Sequence, residues 1–414
     1  MRLPMRMRDH RRYGTIAPLL LLALTTMLGF FAIAVNKGWL LSIREDLRTA
    51  ADAAALAAAQ ELVSDDLLRG DMNLLPGVLD RAAKSAAAYS GSNTVRSRRL
   101  ELRENVDNPA ANDVAFGVVS TPRSGDFVRI VDRVKAQSEQ ARTNTVLITG
   151  RQTRSRGTAP GLAFGNLFGH TFANVAVMSA ATLDRGVRGF RPLYEPTPLA
   201  PLALLSDPEG IDPKSWEYSV VAQNGSDKYH LDSQTSTYVA GAGDGIREFI
   251  VSLPTESDQL PIANAALVQF GVSDMAGLAT RFATGISAAD LLAFGGKFVL
   301  PVNDVTSIEG QNIGPTGDSP EIQLLYQALE SLRQSATVRM WPLYSQATTA
   351  EVDISGFVAA RVVAVTPPAP KQPLQFILKP TMIHRTDVLT DTDLRGSAAT
   401  MNGNAYICKI RRIE

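Results

Sequence analysis

Few residues in this chain have the type and spacing that chemistry needs. Histidine occurs four times, at His10, His170, His230 and His384, far apart in sequence, and the one cysteine is Cys408. There is no HExxH string and no Cys/His ligand spacing, so a zinc site lacks its usual donors. No Gly-x-Ser-x-Gly elbow occurs, and no histidine stands near Cys408 to activate it. The apolar neighbours Ile407 and Ile410 favour a buried structural thiol; a bridge to another chain is the other use open to it. GAGDG at residues 241–245 has the look of a phosphate loop, but IREFIV after it reads as a strand rather than an opening helix. A hairpin turn is the expectation there. NDVTSIEGQNIGPTGD, residues 303–318, offers oxygen ligands at the wrong spacing for an EF-hand and reads as a solvated loop. The sequence therefore predicts no catalytic residue, no metal site, no cofactor and no enzyme activity.

The chain is organised instead around residues 15–62. Residues 13–36 carry no charge and are dominated by Leu, Ile, Phe and Ala. Two dozen helical residues cover the ~30 Å hydrocarbon core of a bilayer. Leu19, Leu20, Leu21, Leu22, Phe30 and Ile33 each favour insertion by about 0.3–0.6 kcal/mol, and no charge opposes them at a cost of about 3 kcal/mol. Arg2, Arg6, Arg8, Arg11 and Arg12 precede the span with only Asp9 against them. Positive charge beside a short leading tail predicts a cytoplasmic N-terminus and an exported remainder. The apolar run is longer than the core of a cleaved signal peptide, so a retained anchor is predicted.

Beyond the span the helix is predicted to continue. From Lys37 to Leu62 the only Gly is Gly38 and there is no Pro, while Ala fills eight positions between Ala50 and Ala59. Leu40, Ile43, Leu47, Ala51, Ala54, Ala58 and Leu62 share one helical stripe. Two readings of the stripe are open. It packs on the chain's own domain, or it is a docking seam for a second helix, which small Ala side chains would let approach closely.

The order GTIAPLLLLAL, a Gly-containing apolar half, then LRTAADAAALAAA resembles the amino terminus of TadE/TadG-like proteins of bacterial tight-adherence (Flp-type) pilus assembly. Asp52 is the motif's acidic residue. Asn36 departs from the family, whose members often carry Asp there, and Leu19 stands where pilin-like precursors cut after Gly carry Glu, so no peptidase cleavage is carried over. Some TadG-like proteins add a von Willebrand A domain opening with Asp-x-Ser-x-Ser. The nearest string, Asp353-Ile354-Ser355-Gly356-Phe357, lacks the second Ser and sits in strand-like sequence.

Basic and acidic residues balance at 41 each, so no bulk attraction to nucleic acid is implied. Residues 76–91 read as a second helix with Pro in its first turn. Alternating strands follow at 98–105, 113–120, 126–137, 143–151 and 171–183. Five prolines without a period mark residues 189–210 as a linker or crossover. Further strands are predicted at 215–222, 235–243, 246–254, 264–272, 337–344, 351–366, 373–383 and 406–414, with helices near 274–294 and at 320–332. The class is α+β: one transmembrane helix continuing as an Ala-rich helix, then mainly antiparallel β-rich exported domains with a few helices. The boundaries are a basic tail at 1–12, the span at 13–36, a helical stalk at 37–95, a β-rich domain at 96–190, a Pro-rich linker or crossover at 191–212 and an α+β domain at 213–414. The resemblance implies a non-catalytic component of pilus assembly in the bacterial inner membrane. Its partners would be the lipid bilayer and other pilus-assembly or pilin-like membrane proteins, with no nucleic acid. The alternative is a membrane-tethered periplasmic binding protein or hydrolase that shares only the anchor.

Overall fold

A computed structural model describes residues 16–69, 71–96, 98–103, 112–119, 127–129, 143–232, 234–235, 237–253, 263–302, 304–311, 319–348, 350–370, 372–394 and 403–413. The five N-terminal arginines lie outside the described residues. Helix α1 (Ile16–Glu61) is one unbroken rod of 46 residues, as the Pro-free, Ala-rich sequence after Lys37 dictates. Two short 3-10 turns, Asp65–Leu68 and Met72–Leu74, then reverse the chain. Helix α2 (Leu75–Ser92) carries Pro in its first turn and lies back along α1, burying Val78, Leu79, Ala82 and Ala86.

The strands of the first half are β1 (Thr94–Val95), β2 (Arg98–Arg99), β3 (Val114–Val119), β4 (Phe127–Arg129), β5 (Thr145–Gln152), β6 (Val175–Asp184) and β7 (Val187–Phe190). Those of the second half are β8 (Leu202–Leu205), β9 (Tyr229–Asp232), β10 (Thr237–Ala240), β11 (Phe249–Ser252), β12 (Ala265–Val268), β13 (Phe298–Val299), β14 (Thr306–Gln311), β15 (Val338–Ala347), β16 (Glu351–Val365), β17 (Gln375–Pro380), β18 (Ile383–His384), β19 (Val388–Thr390) and β20 (Ile407–Ile413). Two further α-helices among the described residues are α3 (Met275–Thr284) and α4 (Pro320–Ser335). Ser319 caps α4, its hydroxyl accepting from the Ile322 amide, and Ile322, Leu325, Leu329 and Leu332 form its buried stripe.

Two cores result. In the first, α1 and α2 cover a six-stranded sheet of order β18-β20-β6-β5-β3-β4. The helix runs in the same direction as β6. Leu47 sits over Gly150, where a Cβ would come within 3.3 Å of it, and further up Asp52 meets Ser179. The inward residues Val146, Ile148, Val175, Val177 and Ala181 alternate with outward ones, as the period-2 pattern predicts.

The second core is built on a sheet that closes on itself. β16 is 15 residues long, and β15 pairs along one of its edges while β14 and then β17 pair along the other. β15 also pairs with β8, so β16, β14, β12, β8 and β15 form a ring of five strands, with β17 and β11 extending from it. The β15–β8 pair is the parallel one in a sheet that is otherwise antiparallel. Closure leaves no free edge in the ring. Phe190, Phe270, Phe298 and Phe357 pack at 5.4–6.4 Å between ring centroids, and Trp341 lies 5.9 Å from Phe376. Trp216 sits 5.4 Å from both Phe249 and Tyr406.

Several expectations need correction. Of the two readings of the Pro-rich stretch at 191–212, linker or crossover, the linker does not describe it: β8 lies within it, with Leu202, Ala203 and Leu204 buried in the ring. Its prolines flank the strand and serve as acceptors, Pro201 O taking the Val268 amide and Pro198 O the Met340 amide. Residues 215–222 form not a strand but a π-helical turn (Glu217–Val221), in which the two buried apolar residues Trp216 and Val220 are four apart. Among the described residues of 98–105, which end at 103, only Arg98–Arg99 pairs. The division at residue 213 also fails at the far end, since β20 leaves the second body to pair with β6 of the first.

Candidate membrane-anchoring site

α1 has two halves that differ in what their apolar side chains touch. Along the lower half Ile16, Leu19, Leu22, Met27, Phe30 and Phe31 point outward with more than half their surface exposed. Among the described residues, α1 is the one helix long and apolar enough to cross a membrane, and its most apolar window is only 6% buried. In water such a surface would cost roughly 25 cal/mol per Å² of apolar area. Lipid is the medium that removes this cost.

The upper half is the reverse. Ile43, Leu47, Ala51, Ala54, Ala58 and Leu62 are each no more than 1% exposed, with Leu40 partly buried beside them. They meet α2, β5, β6 and β20 of the same chain. In this structure the stripe therefore packs on the chain's own domain, the first of the two readings of it. Small side chains are needed because the helix lies close on the sheet.

Two carboxylates lock this half in place. Asp52 accepts from Ser179 Oγ at 2.5 Å and from Arg412 at 2.6 Å, tying the stalk to β6 and β20 together. The motif acid thus acts as a clamp. Asp65, which no motif in the sequence singles out, accepts from Thr381 Oγ1 at 2.8 Å and from the Met382 amide at 2.7 Å, joining the end of the stalk to the second body. A Ser-Asp-Asp sequence opening a turn was the only local signal for it. Asn36 is buried, and its Oδ1 accepts the Phe164 amide at 3.1 Å.

The residues considered for chemistry do not come together. His170 is on an exposed loop, His230 on β9 and His384 on β18, while His10 lies outside the described residues. Burial, helped by Arg385 and Lys409, lowers the His384 pKa and keeps the ring neutral at pH 7. Cys408 is buried, and burial pushes its thiol up to about 12, so no thiolate forms near neutrality. Among the described residues no group of three or more His, Cys, Asp or Glu is placed to hold a metal. The 241–245 loop joins no hairpin, since β10 pairs with β9 and β11 with β17. Its Asp244 and Gly245 amides donate to the Asp227 carboxylate at 3.1 and 2.8 Å, so the chain itself fills the cradle. Gly243 is required there, because a Cβ would fall 2.1 Å from that carboxylate. Asp353 takes the Ser307 hydroxyl across the β14–β16 pair at 2.5 Å. In the 303–318 window, residues 303 and 312–318 lie outside the described residues, and Thr306–Gln311 is strand.

An apolar helix end, continuous with a stalk clamped onto a folded body, fits a membrane anchor with one candidate span among the described residues. Residues 14–61 match the model of the Tad family, described as Flp pilus-assembly TadE/G-like. The match covers the span and the stalk, including Asp52. No curated protein and no solved structure matches the chain.

Proposed function

We propose that this chain is a non-catalytic, membrane-anchored component of Tad/Flp-type pilus assembly, with its N-terminus in the cytoplasm and its folded bulk on the outer side of the inner membrane. The observation that carries the reading is the divided helix: the 14–61 segment that matches the family leaves its lower half bare for lipid and neighbouring membrane helices. Since the upper stripe is used internally, contact with pilin-like partners falls to the lower half of α1 and to the outer surface of the body. The Asp52 and Asp65 clamps would hold that body in a fixed position relative to the span. The arginine cluster supports the orientation.

The test is complementation of a strain lacking this chain, scored by surface pili. A variant whose residues 16–35 are replaced by an unrelated apolar span should stay in the membrane fraction yet lose pilus assembly. Full assembly by that variant would sink the idea that the helix recognises membrane partners. Assembly unaffected by loss of the whole chain would sink the pilus role.

A further inference from the structure

The loop between β5 and β6 ends in an apolar tip that the anchor alone does not explain. Residues 161–172 read GLAFGNLFGHTF, and Leu167, Phe168 and Phe172 expose 70%, 43% and 49% of their surface. The tip is not free in space. Phe164 packs edge-on against Phe31 of α1 with 6.2 Å between ring centroids, and its amide bonds Asn36. Ala32, on the same face, is 1% exposed.

These contacts fix the height of the loop along the helix. The predicted span, residues 13–36, is long enough at about 1.5 Å per residue to cross a ~30 Å core and ends at Asn36. Phe31 lies five residues below Asn36, roughly 7.5 Å on the lipid side of that boundary. A loop that touches Phe31 is at the same depth. Resting on the reading of α1 as a membrane span, we propose that residues 162–172 insert into the outer boundary of the same bilayer as a second, non-spanning apolar contact.

Two independent features fit that medium. Backbone polar groups are costly to leave unpaired in lipid, and this loop pairs several of its own. The Leu162 amide bonds Thr171 O, Gly165 bonds Leu162 O, Leu167 bonds Phe164 O, Gly169 bonds Asn166 O, and His170 bonds Gly165 O. Above the apolar tip stands a belt of amphipathic groups suited to the headgroup layer. Arg154 lies 5.7 Å over the Phe172 ring, and Arg96 stacks 4.0 Å over Trp39, one turn beyond Asn36. Insertion of 5–10 Å is the depth at which apolar faces lodge in a bilayer interface.

The experiment uses the full chain in phosphatidylcholine vesicles, with a fluorophore attached at Leu167→Cys or Phe168→Cys. Cys408 is buried and stays unlabelled. These side chains are exposed, so the substitutions leave the cores untouched. Labels at both positions should emit at shorter wavelength than one at Tyr194→Cys, which is fully exposed elsewhere. They should be quenched by lipids spin-labelled near the headgroup. A label at Leu28→Cys should be quenched by lipids labelled deep in the acyl chain. Loop labels that stay in water, or that are shielded but unquenched because a protein covers them, while Leu28 is quenched, would overturn the proposal and leave the anchor standing. Absence of quenching at Leu28 would overturn the anchor and the proposal together. As a second readout, Leu167→Ser with Phe168→Ser should abolish quenching of a label at Phe172→Cys and leave that at Leu28 unchanged.

Discussion

The two cores solve the packing problem with opposite materials. The first is a helix hairpin rich in alanine laid on a sheet, where Ala51, Ala54, Ala55, Ala58, Ala82 and Ala86 bring backbones close together. The second is a closed ring of strands with aromatic side chains packed about it, Phe190, Phe298, Trp341 and Trp216 among them. Small residues give a contact that has no room to spare. Large ones give a contact rich in buried area. The two should therefore fail in opposite directions when side-chain volume is changed.

The largest effect should come from removing volume in the second core. Trp341 is fully buried and its Nε1 donates to Ala360 O at 3.2 Å, so Trp341→Ala should cost about 3–5 kcal/mol. Urea unfolding followed by near-ultraviolet circular dichroism would measure it. Next is the reverse change in the first core: Ala54→Leu should cost about 1–3 kcal/mol through overpacking, although it adds apolar area. An Ala54→Leu variant as stable as the parent would show that the helix hairpin has slack, and the contrast between the cores would dissolve. For the same reason Ala54→Leu tests folding, not partner docking.

A smaller effect should mark the strand where the cores meet. Burial pushes the Asp393 carboxyl up, but hydrogen bonds from Arg411 and Lys409 outweigh it and hold the group at about 2, below its ordinary 3.8. Because the folded value is the lower one, the stabilisation is complete above 3.8 and is lost as pH falls toward 2. The difference in urea midpoint between the parent and Asp393→Asn should shrink to nothing across that window. A difference that stays constant would remove Asp393 from the account of β20.

Local pattern explains what the sequence disclosed. An unbroken apolar run, an alanine stretch without Gly or Pro, and the i, i+3, i+4 stripe of α4 each depend on near neighbours, so the span, the stalk and that helix were readable. So was the alternation in β5 and β6. Partner identity was not readable. Nothing in EVDISGFVAARVVAV says that one strand serves three neighbours, and nothing in YICKIRRIE says that it returns across more than two hundred residues to β6. The same limit applies to the stripe, whose composition suits an internal and an external helix partner equally. The prolines of 191–212 misled because their effect depends on position: beside a strand they cost no ladder bond.

The return of β20 has a mechanical consequence. The body holding the aromatic core is spliced between two neighbouring strands of the sheet that grips the stalk, β6 and β20, and β18 returns to that sheet on the way, so the chain crosses between the bodies four times. A bead on a single thread can swivel; one strung on several cannot turn without shearing a strand from its ladder. Any pull on the distal part of this molecule is thus shared among these crossings and delivered to the rod as a push or tilt, with little lost to wobble.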